Sequence, residues 1–189
     1  MFERIKQVKK LSKEACDING LNRDENDRLI VNLSIKNDDG FLSPYSLKGE
    51  PQLASETAEF LQHSIKNTKH TDDISFHVHS SVIDANEEVE YKKAIKCYYA
   101  HEITETKTKM RRNAMSSALM ILLGILVFAL RIIFSSVFPN EIFLSVLDVV
   151  AWVFVWEATD LFFFKRTELR QELLQYLKIY TADIKFINE

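Results

Sequence analysis

Two stretches decide the fold: AMSSALMILLGILVFALRIIFSSVF at residues 114–138 and, three residues later, IFLSVLDVVAWVFVWEATDLFFF at residues 142–164. At 1.5 Å per residue, helices of these lengths cross a hydrocarbon core of about 30 Å with some tilt. Only Pro139, Asn140 and Glu141 separate them, which is enough for a turn and too little for a folded loop. The sequence therefore predicts a two-helix transmembrane hairpin. The alternative, a soluble protein that buries the same hairpin, requires about 100 residues of the remaining chain to cover two helices that are apolar on nearly all sides.

The flanks orient the hairpin. Lys107, Lys109, Arg111 and Arg112 precede the first span, Lys165, Arg166 and Arg170 follow the second, and the turn holds neither Lys nor Arg. By the positive-inside rule both termini are expected in the cytoplasm, with the protein a multi-pass component of the inner (cytoplasmic) membrane and the lipid bilayer its first partner.

Charges within the spans are the first functional signal. Arg131 and Asp148 lie equally far in sequence from the midpoint of the turn, so an antiparallel hairpin sets them at one depth, where they can pair. Either charge alone at the bilayer centre costs about 2.5 to 3.5 kcal/mol on insertion scales. The pair reads either as a lock for the hairpin or an oligomer, or as polar lining of a pore. Glu157 and Asp160, three apart, share a helix face near the end of the second span. They read as an acidic ring in a symmetric oligomer, or as carboxylates neutralised by Lys165 and Arg166. Trp152 and Trp156, four apart, sit deeper than an interfacial belt would put Trp152 and are expected to be packing residues.

The chain of 189 residues has a net charge of −3 and room for one small soluble domain beside this anchor. Cys16 and Cys97 are its only cysteines, without a CxxC, and charged Glu3, Arg4 and Lys6 interrupt any apolar leader, so a reduced cytoplasmic domain is expected. The sequence divides into a basic N-terminal arm and linker (1–27), a small cytoplasmic α/β layer (28–84), a stalk helix (85–113), the hairpin (114–164), and a cytoplasmic helix with an edge strand (165–189). Residues 28–36, RLIVNLSIK, alternate as a half-buried strand. Leu53, Thr57, Phe60, Leu61 and Ile65 are spaced as a helix over 50–67, with Pro51 in its first turn. Ile74, Phe76 and Val78 alternate with His77 and His79 in a second strand.

Asn86 is the expected N-cap of the stalk, whose apolar stripe is Tyr91, Ala94, Ile95, Tyr98 and Ile103. Without Gly or Pro before Gly124, this helix is expected to run unbroken into the first span. Leu169, Leu173, Leu177 and Tyr180 continue a helical stripe beyond the hairpin, and Ile184 and Phe186 suggest a returning edge strand. The whole is thus mostly helical, a small α/β domain joined to a transmembrane hairpin. The arm 1–15 reads as a membrane-surface or disordered segment.

Enzyme chemistry is not legible. The four glycines assemble no phosphate loop or dinucleotide fingerprint, no serine has a G-x-S-x-G context, and neither cysteine sits in a nucleophile motif. No cofactor is implied. His77 and His79, with His63 or His70, make only a weak metal signal. Lys92, Lys93 and Lys96 on the stalk, with Lys107, Lys109, Arg111 and Arg112 at the membrane, form a candidate surface for an anionic ligand such as a nucleotide or oligonucleotide.

The motifs FLSPYS (41–46), AWVFVWEATDLFF (151–163) and IKF (184–186) resemble those of a loosely defined group of small bacterial two-span membrane proteins. Some proteins of this build look like the membrane effectors of anti-phage systems, including the Hailong type. That resemblance implies an oligomeric channel held shut by a nucleotidyltransferase product. Three functional classes follow: an oligomeric membrane effector or ion channel with a ligand-sensing domain, a membrane-tethered adaptor that recruits a cytoplasmic protein partner, and a regulatory subunit of a transporter.

Overall fold

The computed structural model describes residues 23–47, 49–66, 68, 72–137 and 140–188. Most of the N-terminal arm, with Cys16, as well as His70 and Pro139, lies outside the described residues. The chain divides into two compact units, Met1–His101 with Gln175–Glu189, and Glu102–Leu174.

The first unit is built on a parallel sheet of three strands, β1 (Leu29–Ser34), β2 (Ile74–His79) and β3 (Asp183–Ile187), in the order β1-β2-β3. Its helices are α1 (Ser55–Ile65), the start of α2 (Ala85–Val137) and the end of α4 (Arg166–Thr181). Register places Val31, Phe76 and Ile184 side by side across the sheet, and Leu33, Val78 and Phe186 in the next row. Right-handed crossovers put the helices on one face of such a sheet. Buried Ala58, Leu61 and Ile65 of α1, Tyr91, Ala94, Ile95 and Tyr99 of α2, and Tyr176 and Ile179 of α4 supply the apolar counterpart. The connection from β2 to β3 contains the entire hairpin. The tail, expected as an edge strand, pairs in parallel with the central strand.

Four local readings are corrected. Helix α1 begins at Ser55 rather than in the region of Glu50, because Leu53 is committed to an extended bridge with Leu42, and Pro51 lies before the helix instead of in its first turn. Phe60, expected on the buried stripe, is 57% exposed. The cap of α2 is Asp84, not Asn86: its Oδ1 accepts the amides of Asn86 and Glu87, each at 2.8 Å, while Glu87 Oε2 accepts the amide of Asp84. That reciprocal pair is a capping box starting two residues earlier than expected. On the α2 stripe it is Tyr99, not Tyr98, that is fully buried.

Helix α2 is one uninterrupted run of 53 residues, as the absence of breakers predicted. In the second unit its less exposed positions include Ile103, Thr106, Met110, Asn113, Ser117, Met120, Gly124, Val127, Arg131 and Phe134. The alternating spacing of three and four is a heptad seam, which keeps one face of a helix against an antiparallel neighbour through a gentle supercoil. The neighbour is α3 (Glu141–Thr159), capped by Asn140 Oδ1, which accepts the amides of Ile142 and Phe143. A ladder of contacts joins the two helices. Ser117 Oγ donates to Ala158 O at 2.9 Å, Gly124 packs on Ala151 and Phe154, Arg131 meets Asp148, and the rings of Phe134 and Phe143 lie 5.6 Å apart, edge to face.

Gly124 sits where a Cβ would come within 3.4 Å of Phe154 Cβ. A Cβ there already meets Phe154, the Ala151 carbonyl and Val155 at 3.4–3.5 Å, so a leucine must press α3 away or fill the adjoining space, and Gly124→Leu is expected to destabilise the hairpin by about 1–3 kcal/mol, as overpacking does. Unfolding of the variant in detergent checks this.

Beyond Thr159 the return helix departs from the α form. Asp160–Lys165 is a π-helical segment, after which α4 resumes. Thr159 Oγ1 back-bonds to Val155 O at 2.8 Å and Thr167 Oγ1 to Phe163 O at 2.6 Å, so hydroxyls compete for carbonyls at both ends of the segment. The span expected as one α-helix over 142–164 therefore changes pitch from Asp160 onward.

Candidate functional site

Arg131 Nε lies 3.1 Å from Asp148 Oδ1. The two charges meet at the depth that their equal distance from the turn dictates, although the Nε–H does not point along a hydrogen bond. The pair is not sealed inside the hairpin: the side chains are 35% and 41% exposed. Beside it a cleft of about 540 Å³ is lined by Gly124, Ile125, Phe128, Asp148, Ala151 and Trp152. Trp152 and Trp156, expected to be packing residues, are instead on the outer surface of the hairpin, 63% and 66% exposed. The seam of α3 runs through Leu147, Ala151, Phe154 and Ala158, which turns both indoles away from it.

Glu157 and Asp160 are both exposed, and neither has an ion-pair partner among the described residues. Neutralisation by Lys165 and Arg166 does not occur in this conformation, and the Arg166 guanidinium lies over the Phe162 ring, 5.3 Å from its centroid. The second span thus presents two uncompensated carboxylates toward its end, at the junction of α3 and the π-helical segment.

The stalk lysines do not form one open basic surface. Lys96 Nζ donates to the carbonyls of Tyr180 and Ala182, the latter at 3.0 Å, and lies over the Tyr180 ring. It closes the C-terminal end of α4, where unsatisfied carbonyls accumulate. Burial pushes its pKa down, and the Asp183 carboxylate opposes that. Lys93 Nζ donates to Gly49 O at 2.9 Å, and Lys92 is shared between Glu88 at 3.6 Å and the Phe186 ring at 5.2 Å. Each ammonium is spent on the α/β unit itself. Lys96→Met is accordingly expected to lower the stability of the full chain by about 0.5–1.5 kcal/mol per lost hydrogen bond, read from urea unfolding in detergent. Lys107, Lys109, Arg111 and Arg112 are exposed, and Lys109 pairs with Glu105 at 2.9 Å, a hydrogen bond that raises its pKa.

A second cavity in the α/β unit, also about 540 Å³, was not legible in the sequence. It is lined by Ser43, Gln52 and Ser55 on one side and Ala94, Cys97, Tyr98 and His101 of α2 on the other. Its loop wall is pinned: Ser46 Oγ donates to Gln52 O and accepts the Gln52 amide, and Ser43 N–H donates to the same carbonyl. Tyr91 fixes the preceding turn, stacking on Phe41 with its hydroxyl donating to Asp38 at 2.8 Å. Hydroxyls, an amide, an imidazole and a thiol around a ligand-sized space suit a small polar molecule. The available signal was FLSPYS itself, whose Ser43 faces Cys97 and His101, one turn apart on α2.

His77 and His79 are half-buried on β2. His79 Nε2 lies 3.3 Å from Asn32 Oδ1, while His77 Nε2 is buried and has no hydrogen-bond partner among the described residues. Among the described residues no three His, Cys, Asp or Glu side chains are grouped to hold a metal.

Compared with protein-family models, with curated proteins and with solved structures, the chain matches none.

Proposed function

We propose that this chain is a homo-oligomeric membrane effector or ion channel whose hairpins assemble around a polar path and whose α/β unit, on the cytoplasmic side, senses a ligand. The reading rests on the exposed, uncompensated Glu157 and Asp160 on a hairpin whose helices are long and apolar enough to cross a membrane. Lipid solvates carboxylates poorly even near the end of a span, and two helices cannot enclose water, so an assembly of several copies is the arrangement that supplies a wet environment on this face. An acidic ring at one end of such an assembly concentrates cations. The cavity bounded by Ser43, Gln52, Cys97 and His101 is the proposed sensing site, for a nucleotide or oligonucleotide if the resemblance to anti-phage effectors extends to ligand and pathway.

The test is cation flux from liposomes containing the purified chain. Glu157→Gln is expected to reduce flux severalfold with oligomer size unchanged. Full flux in that variant, or a monomer in the bilayer, overturns the channel.

An adaptor that recruits a cytoplasmic protein partner is the second reading. It is favoured by exposed Tyr45, Leu47, Phe60 and Val89 on the α/β unit, apolar groups of the kind that protein interfaces cover.

A further inference from the structure

We propose that the cleft beside Asp148 is the seat of a second copy of the hairpin. This rests on the oligomeric reading above and assigns the contact surface that reading leaves open. The cleft is apolar along Ile125, Phe128 and Ala151, but its wall carries the Asp148 carboxylate, and the Arg131–Asp148 pair opens toward the outside of the hairpin rather than being enclosed by it. An acyl chain filling the cleft offers neither donor nor acceptor, and would leave a half-exposed carboxylate, a guanidinium with spare N–H groups and the Trp152 indole in hydrocarbon. Trp152 is 63% exposed and has no hydrogen-bond partner among the described residues. At four positions from Asp148 it stands on the same helix face, about 19 Å from the turn at 1.5 Å per residue, well inside a 30 Å core.

The occupant must therefore bring polar groups at the same depth. In a symmetric assembly of parallel copies every copy places its own Arg131 and Asp148 at that depth. The guanidinium of one copy then reaches the carboxylate of the next, extending the pair into a chain of alternating charges around the axis. Trp152 at the cleft rim becomes the large, rigid contact that such interfaces favour. The floor of the cleft, at Gly124 and Ala151, lies low because small residues there let α2 and α3 approach closely, which gives an incoming side chain depth.

The full chain carrying Trp156→Phe has Trp152 as its single tryptophan. Reconstituted in vesicles with lipids brominated at mid-chain, it reports lipid contact at the cleft by fluorescence quenching, while single-molecule photobleaching counts copies. The expected result is an oligomer in which Trp152 is shielded, with quenching severalfold weaker than in the Trp152→Phe chain, where exposed Trp156 reports instead. An oligomer with Trp152 quenched as strongly as Trp156 places lipid in the cleft and overturns this seat, leaving the oligomeric reading intact. A monomer overturns both.

Discussion

Arg131→Ala and Asp148→Ala, made singly, are each expected to destabilise the hairpin strongly, and the double variant to cost less than the two together. The ladder from Ser117–Ala158 to Phe134–Phe143 fixes the two helices, so neither charge can escape to the membrane surface when its partner is removed. The survivor is left in hydrocarbon at about 2.5–3.5 kcal/mol, discounted to the extent that snorkelling, water or a neighbouring copy reaches it. Removing both charges abolishes that penalty and leaves an apolar seam, so the coupling energy should fall within about 0.5–3 kcal/mol. Reversible unfolding of the four chains in mixed micelles measures it. Strict additivity would mean that the contact at 3.1 Å carries no energy.

The largest effect in the α/β unit is expected at Tyr99. Its side chain is fully enclosed, its hydroxyl donates to Ala58 O at 2.9 Å, and its ring lies 5.9 Å from that of Tyr176, so one residue ties α2 to both α1 and α4. Tyr99→Ala opens a cavity in the middle of this contact and should cost about 3–5 kcal/mol, in the range of aromatic truncations. Tyr99→Phe keeps the volume and removes one hydrogen bond, for about 0.5–1.5 kcal/mol. Urea midpoints of the full chain in detergent, followed by near-ultraviolet circular dichroism, separate the two. Equal losses would show that the hydroxyl, not the packing, holds the junction.

The hairpin, the unbroken α2 and the depth of Arg131 and Asp148 were legible because they depend on hydropathy, the absence of breakers and counting from a turn. The heptad seam was not. In a span that is apolar on all sides, Met120 and Val127 look no different in sequence from Leu119 and Leu126, and only contact with α3 separates them. The π-helical segment DLFFFK carries no local breaker, and the threonine hydroxyls that bond back to Val155 and Phe163 at its two ends are visible only once the carbonyl partners are known. The partners of the stalk lysines were hidden for a related reason. Spacing placed Lys92, Lys93 and Lys96 on a polar side of a helix, but Lys93 reaches Gly49 and Lys96 reaches Tyr180 and Ala182, the latter two across more than eighty positions. Strand alternation found the sheet, whereas the cap of α2 turned on the Asp84 carboxylate reaching two free amides, and the late start of α1 on the bridge between Leu42 and Leu53.

The position of β3 has a consequence for how the molecule is made. Ser75 pairs with Asp183, roughly a hundred positions later in the chain, and everything between them is α2, the hairpin and the return helix. At ribosomal rates of about 5–20 residues per second, β2 waits on the order of 5–20 s for its outer neighbour to be synthesised. During that interval the hairpin is already available to the insertion machinery, while one edge of the strand ISFHVH has no partner and can template the wrong one. On the transmembrane reading, insertion of the hairpin precedes completion of the sheet. A nascent chain stalled between them would display an unfinished sheet, a form that quality-control proteases can recognise.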